Sequence, residues 1–208
     1  MTSIVIHPTY FPSIAQMAVV AQADSVIFEV CDNYQKQTYR NRSYIAHNNG
    51  RLLLNVPVKH QKGGARQKSA TVICEHSFPW QSQHWQSLQT AYRTSPFFEY
   101  YEDELAPLFL TTVSELMQHN LNIYKTLCDL IGLDADFKTT LSYETAPKEI
   151  DYRSLVNAKK EPDFNLQPYI QVLEAHHGFL SNLSVLDLLF NEGPNTLQYL
   201  EAQRIPVL

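Results

Sequence analysis

The chain opens with two short apolar runs that flank a helical segment. Residues 3–7 are rich in β-branched residues and end before Pro8, which cannot extend a central ladder, so they predict a first strand. Pro12 fits the first turn of a helix that runs to about Ala23, and residues 25–30 predict a second, buried strand. Strand, helix and strand in so short a segment predict a βαβ unit with parallel strands.

Further strands are predicted before residue 80. Residues 43–46 and 51–58 flank an Asn-Gly pair, whose glycine supplies positive φ at low cost, and they predict a hairpin. Residues 70–74 predict another strand, after a basic, glycine-containing segment at 59–68. The N-terminal half is therefore expected to form a mixed sheet.

The apolar spacing then changes to a helical period. Helices are predicted at 81–94, 97–109, 111–132 and 169–177, with two short ones opening at Ser184 and Pro194, while 137–143 is compatible with a return to the sheet and 145–168 with a loop. The expected fold is α/β in one domain over 1–208, sheet-rich over 1–78 and mainly helical over 79–208. The βαβ start leaves a Rossmann-like sheet open.

Composition excludes several classes of function. The 208 residues carry a net charge of −5, which disfavours nucleic acid as a partner, because phosphate binding draws on basic excess. Neither a signal peptide nor a membrane span is indicated, so the expected compartment is the cytoplasm. The three cysteines are isolated and the eight histidines lack ligand spacing, so neither a metal nor another cofactor is expected. The oligomeric state is left open.

A first candidate site follows the first predicted strand. In open α/β sheets, ligands bind outside the carboxyl ends of the strands. His7 lies there, before Tyr10 and Phe11 and the start of a helix, which suits proton transfer beside a bound anion. The alternative is a histidine whose ring is hydrogen-bonded to a backbone carbonyl in a tight turn.

A second candidate site follows the second strand, and should lie at the same sheet edge. Asp32 opens a polar segment in which Arg40 and Arg42 flank Asn41. In an extended segment the two arginines point to one side, where paired guanidinium groups can bind phosphate or carboxylate. Surface arginines on a solvated loop are the alternative. Together the two loops predict a pocket for a small anionic substrate.

Other features have structural explanations. Trp85 and Tyr92 share a helix face that favours burial, and they are also candidate walls of the pocket. The 59–68 segment lacks P-loop spacing, so a solvated loop is favoured, with a closing lid as the alternative. Asp187 follows Ser184 by three residues, as in a capping box, which predicts a cost of about 1 kcal/mol for Asp187→Ala.

Several motifs resemble the WbqC-like family, and they follow one another in the order found in that family. They are His-Pro-x-Tyr-Phe-Pro at 7–12, Ala-Gln-Ala-Asp at 21–24, Tyr-Arg-Asn-Arg at 39–42, Val-Pro-Val at 56–58, the stretch from Trp85 through Tyr92 to Pro-Phe-Phe-Glu-Tyr-Tyr at 96–101, and the segment 182–194. Members of the family often begin with His-Gln-Pro, whereas Pro8 directly follows His7 here. Any role of that glutamine is missing from this chain.

The resemblance implies a function in cell-surface polysaccharide (O-antigen) biosynthesis. A transferase acting on a nucleotide-activated sugar, or on an acyl or aminoacyl donor, would be consistent with it, with His7 as acid/base and the arginines as an anion clamp. A non-catalytic ligand-binding or scaffold protein of the same pathway is the alternative.

Overall fold

A computed structural model describes residues 2–59, 66–134, 136–159 and 161–207. Strand β1 (Ser3–Ile6), helix α1 (Ile14–Ala21) and strand β2 (Ser25–Phe28) follow one another at the start of the chain. The two strands pair in parallel, from Ser3 opposite Ser25 to Ile6 opposite Phe28. The βαβ prediction is confirmed.

Strands β3 (Arg42–His47) and β4 (Gly50–Asn55) form the predicted antiparallel hairpin, with Gly50 at a φ of 105° in the turn. This hairpin is a separate two-stranded sheet and does not join β1 and β2. The strand predicted at 70–74 is wrong. A 3₁₀ turn occupies Ser69–Thr71, and the residues after it make only isolated bridges to Glu115 and Val58.

The main sheet is completed by two short strands from later in the chain, β5 (Asp136–Thr139) and β6 (Ile150–Asp151). All four strands are parallel, in the order β5-β2-β1-β6. Strands β2 and then β5 therefore lie on one side of β1, and β6 lies on its other side. This is the 3-2-1-4 start of a doubly wound sheet, with a topological switch point between β1 and β6.

Seven α-helices lie in the described part of the chain after residue 79, so the α/β class is confirmed. The helices are α2 (Trp80–Tyr92), α3 (Phe98–Leu105), α4 (Pro107–Leu110), α5 (Leu116–Ile131), α6 (Glu174–His177), α7 (Val185–Glu192) and α8 (Thr196–Ala202). Helix α5 begins five residues after its predicted start at 111, and α6 is only the last turn of the helix predicted at 169–177. The segment predicted as a loop, 145–168, contains β6 and a 3₁₀ turn at Arg153–Val156.

A capping box is present, but at α1 and not at α7. The Ser13 hydroxyl accepts from the backbone N–H of Gln16, and the Gln16 side chain accepts from the backbone N–H of Ser13 at 3.0 Å. At α7 the Ser184 hydroxyl caps Leu186, while the carboxylate of Asp187 points into the core. The box fixes the entry to α1, directly after the loop that carries His7.

The buried carboxylate of Asp187 corrects the capping prediction. It accepts hydrogen bonds from the hydroxyls of Tyr92 (2.7 Å) and Tyr169 and from the side-chain amide of Gln171 (2.9 Å). Burial raises the pKa of Asp187, while these three donors oppose the shift. The motif failed because the capping spacing and a core position on the helix coincide at this residue.

Candidate ligand-binding site

A cavity of about 790 Å³ lies at the carboxyl ends of β1, β2 and β6. It is lined by the residue after β1, by residues after β2 and by the end of β6 with the turn that follows it. The lining residues are His7, Cys31, Asp32, Asn33, Tyr34, Gln35, Arg40, Arg66, Lys68, Tyr143, Thr145, Asp151, Arg153, Ser154, Val156 and Asn157. The cavity therefore lies at the topological switch point, where open α/β sheets bind their ligands.

The loops around this cavity are hydrogen-bonded to one another. The side-chain amide of Asn120, on α5, donates to the carbonyl of Pro8 at 3.2 Å and to that of Arg40 at 2.8 Å. The backbone N–H of Tyr39 donates to the carbonyl of Val156 at 2.9 Å. The loops after β1, β2 and β6 are thus held together, which fixes the side chains that they carry.

Three side chains predicted from the sequence meet at the cavity: His7, Asp32 and Arg40. The Nη2 atom of Arg40 lies 2.5 Å from Oδ2 of Asp32 and 3.0 Å from Nε2 of His7. All three residues are at most 6% exposed. Because a guanidinium group can only donate, Nε2 of His7 is an acceptor, and the proton of the neutral ring lies on Nδ1.

The imidazole of His7 is uncharged at physiological pH. Burial lowers its pKa well below the usual value of 6.5, and the positive charge of Arg40 lowers it further. The backbone of Glu29 acts in the opposite direction and raises the pKa of His7. Nδ1 of His7 forms no hydrogen bond of normal geometry with any described residue. Asp32 Oδ1 and Arg40 Nε also lack a partner there.

Arg153 was not predicted as a site residue. Its guanidinium forms two bonds with the carboxylate of Asp151, Nε to Oδ1 at 2.9 Å and Nη2 to Oδ2 at 2.6 Å. Nη1 lies 3.6 Å from a carboxylate oxygen of Glu29, and the group stacks 5.1 Å from the ring centre of Tyr143. Two carboxylates therefore compensate its charge.

Arg66 and Lys68 belong to the basic segment at 59–68. They are exposed, line the cavity, and form no ion pair with the described part of the chain. The Lys68 ammonium donates to the carbonyl of Cys31 at 3.1 Å, which directs it to the cavity rim. Lys62, Gly63 and Gly64 of the same segment lie outside the described residues. A solvated loop was the favoured interpretation of this segment, but it does not account for Arg66 and Lys68, which line the cavity.

Asn41 and Arg42 do not line the cavity. The side-chain amide of Asn41 donates to the carbonyl of Val56 at 2.9 Å, and Arg42 begins β3 opposite Asn55. The hairpin ladder begins at Arg42, and of the two arginines only Arg40 is among the lining residues. The two do not form the predicted clamp.

Of the aromatic residues expected to wall the cavity, Tyr10, Phe11 and Tyr92 lie in the core, and Trp85 is partly buried against it. The hydroxyl of Tyr10 is 2.8 Å from Nδ1 of His84. Phe11 and Trp85 stack on Phe109, with ring centres 4.9 and 5.2 Å apart. Tyr92, bonded to Asp187, is fully buried as well. The Tyr10 ring packs against Trp80 and His84 of α2 and against His119 of α5, and Trp85 and Tyr92 lie on α2 itself.

Neither a metal site nor a membrane-spanning helix is found among the described residues. These residues contain no group of three or more His, Cys, Asp or Glu side chains that could hold a metal ion. None of the helices formed by them is long and apolar enough to cross a membrane.

Comparison with known proteins identifies the family. A relative from Mycobacterium tuberculosis (strain ATCC 25618 / H37Rv), named uncharacterized protein Rv1507c, is 26% identical over 226 aligned residues, which cover 94% of this chain and 96% of the relative. A search of the solved structures found no significant match. The model of the WbqC-like protein family matches residues 7–162, three quarters of the chain. The chain belongs to the WbqC-like protein family.

Proposed function

We propose that the protein is a cytoplasmic group-transfer enzyme of cell-surface polysaccharide biosynthesis. Its substrate is an anionic activated donor, either a nucleotide-activated sugar or an acyl or aminoacyl donor, bound in the cavity beside His7. The family name suggests the pathway. The observation that carries the proposal is a buried, uncharged histidine at the switch point of the sheet, in a cavity whose lining has four basic and two acidic residues.

The acid/base role of His7 requires that Arg40 release the His7 ring. A neutral imidazole can accept a proton through its unprotonated nitrogen, and in His7 this is Nε2. The contact with Arg40 Nη2, at 3.0 Å, occupies that lone pair. Arg40 must therefore give up this contact when the ligand binds. A polar group of the ligand that accepts a hydrogen bond from the guanidinium can replace this contact and free the lone pair of Nε2.

The experiment is a thermal-shift screen of nucleotides, nucleotide-sugars, coenzyme A and acyl donors. A ligand at 100 times its dissociation constant adds about 2.7 kcal/mol of stability, which raises the Tm by roughly 5–10 °C for a domain of this size. His7→Ala should retain binding and the fold but slow turnover by roughly 10² to 10⁴, as for the loss of an acid/base group.

The results separate the two functional hypotheses. Binding without turnover of any donor would favour the non-catalytic ligand-binding or scaffold protein. If no anionic compound stabilises the protein, the cavity is not a donor site and the proposal fails.

A further inference from the structure

We infer that Arg66 and Lys68 bind the phosphate of the donor at the rim of the cavity, while the group to be transferred lies at the inner end, against His7 and Asp32. The inference rests on the proposed function and adds the orientation of the substrate. It also places the anion site at two residues other than the arginine pair that the sequence suggested.

The basic residues of the cavity differ in whether they are paired with a carboxylate. Arg40 and Arg153, the two buried basic residues, already have carboxylate partners at 2.5 and 2.6 Å. A ligand anion near either would compete with a carboxylate that is held in place by the fold. Arg66 and Lys68 have no ion-pair partner among the described residues, so an anion that binds them displaces no paired carboxylate.

The backbone around Lys68 directs the side chains of Arg66 and Lys68 to the same side. Lys68 pairs with Asn33 in an antiparallel bridge, and the N–H of Tyr34 donates to the carbonyl of Gln67 at 2.8 Å. In extended chain, residues two apart point to the same side, and both Arg66 and Lys68 line the cavity. One phosphate can therefore contact both. The Lys68 ammonium uses one donor on Cys31 and keeps two for a ligand.

The rim is tied directly to the inner end of the cavity. The N–H of Ser69 donates to the carbonyl of Asp32 at 3.0 Å, so the basic segment and the triad of His7, Asp32 and Arg40 share one backbone contact. At the inner end, the carboxylate of Asp32 and an uncharged His7 would repel or fail to attract a second anion. They suit an uncharged group that carries hydrogen-bond donors, such as a sugar or an amide. The substrate class is a phosphate-bearing donor with an uncharged, polar transferred group.

The test is isothermal titration of UDP and of coenzyme A, two phosphate-bearing probes that represent the two kinds of donor. Arg66→Gln and Lys68→Gln should each weaken binding of the favoured probe by about tenfold, or about 1.4 kcal/mol, and the double variant by more. Arg93→Gln, at an exposed arginine that does not line the cavity, is the matched control and should leave affinity unchanged. Because all three side chains are exposed, the Tm values without ligand should agree closely.

Salt provides a second readout. Affinity of the wild type should fall as ionic strength rises, since exposed charges are screened, and the double variant should show a flatter dependence. If both Gln variants bind the probe like the wild type while Arg40→Gln abolishes binding, the inference is overturned and the proposed function survives. If neither probe nor any other phosphate compound binds the wild type, both proposals fail.

Discussion

Replacing Asp32 by Asn removes the counter-charge of Arg40 while keeping the size of the side chain. Both side chains are buried, 6% and 4% exposed, so the remaining guanidinium cannot be hydrated without opening the loop. Removing one partner of a buried pair costs about 3–5 kcal/mol. Because the Asn oxygen can still accept one hydrogen bond, we expect the lower end, about 3 kcal/mol, or a Tm lower by roughly 6–12 °C.

Urea unfolding at neutral pH measures this cost, with an unchanged m-value as the sign that stability alone has changed. Asp151→Asn is the matched control. It breaks a similarly short pair, 2.6 Å, but the Asp151 side chain is 38% exposed, and Glu29 remains near Arg153. Its cost should be about 1 kcal/mol or less, as for exposed pairs.

The double variant Asp32→Asn/Arg40→Met removes the uncompensated charge together with its partner. We expect it to be more stable than the sum of the two single effects implies, by a coupling of about 1–3 kcal/mol. Two results together would refute the buried, coupled triad. The costs of Asp32→Asn and Asp151→Asn would agree within about 0.5 kcal/mol, and the effects of Asp32→Asn and Arg40→Met would add in the double variant.

Three further predictions concern the rest of the fold. Asp187→Ala should cost about 3 kcal/mol or more in urea unfolding, because three buried donors lose their acceptor, and a cost near 1 kcal/mol would restore the capping interpretation. Burial lowers the pKa of His84 and His119 to about 4, so the unfolded chain takes up protons first and stability should fall by about 1.4 kcal/mol per pH unit for each histidine between pH 6.5 and 4. His84→Gln/His119→Gln should flatten that dependence in urea unfolding at pH 7 and pH 5, and an unchanged slope would contradict it. Gly193→Ala should lower the Tm strongly, since its Cβ would lie 2.5 Å from the Phe97 ring at a φ of 52°, and an unchanged Tm would show that the ring can move aside.

The elements with a strong local signal could be predicted from the sequence. The βαβ unit, the hairpin at Gly50 and helix α2 follow from β-branched runs, turn chemistry and helical spacing. Strand β6, with only two residues, is too short to show a period, and it exists because its partner β1 supplies the ladder. The return to the sheet that was left open for 137–143 is β5, whereas no local pattern indicates β6.

The candidate site could be predicted only in part, for the same reason. His7, Asp32 and Arg40 follow β1 and β2, so the rule for open sheets was enough to bring them together. Arg153 and Asp151 reach the cavity through β6, which the sequence did not reveal. Arg42, Tyr10 and Phe11 were expected at the cavity because they neighbour its loops along the chain, and Trp85 and Tyr92 because they share a helix face. The directions of their side chains are instead set by the hairpin and by packing against the helices.

The most direct test of a donor site beside His7 is two-dimensional NMR of the histidine ring nitrogens while UDP or coenzyme A is added. Without ligand, Nε2 of His7 should have the chemical shift of an unprotonated acceptor and Nδ1 that of a protonated nitrogen, at neutral pH. Ligand should shift both signals as Arg40 leaves the ring, while those of His84 and His119, buried outside the cavity lining, stay in place. A ligand that raises the Tm but leaves the His7 signals unmoved would contradict the account.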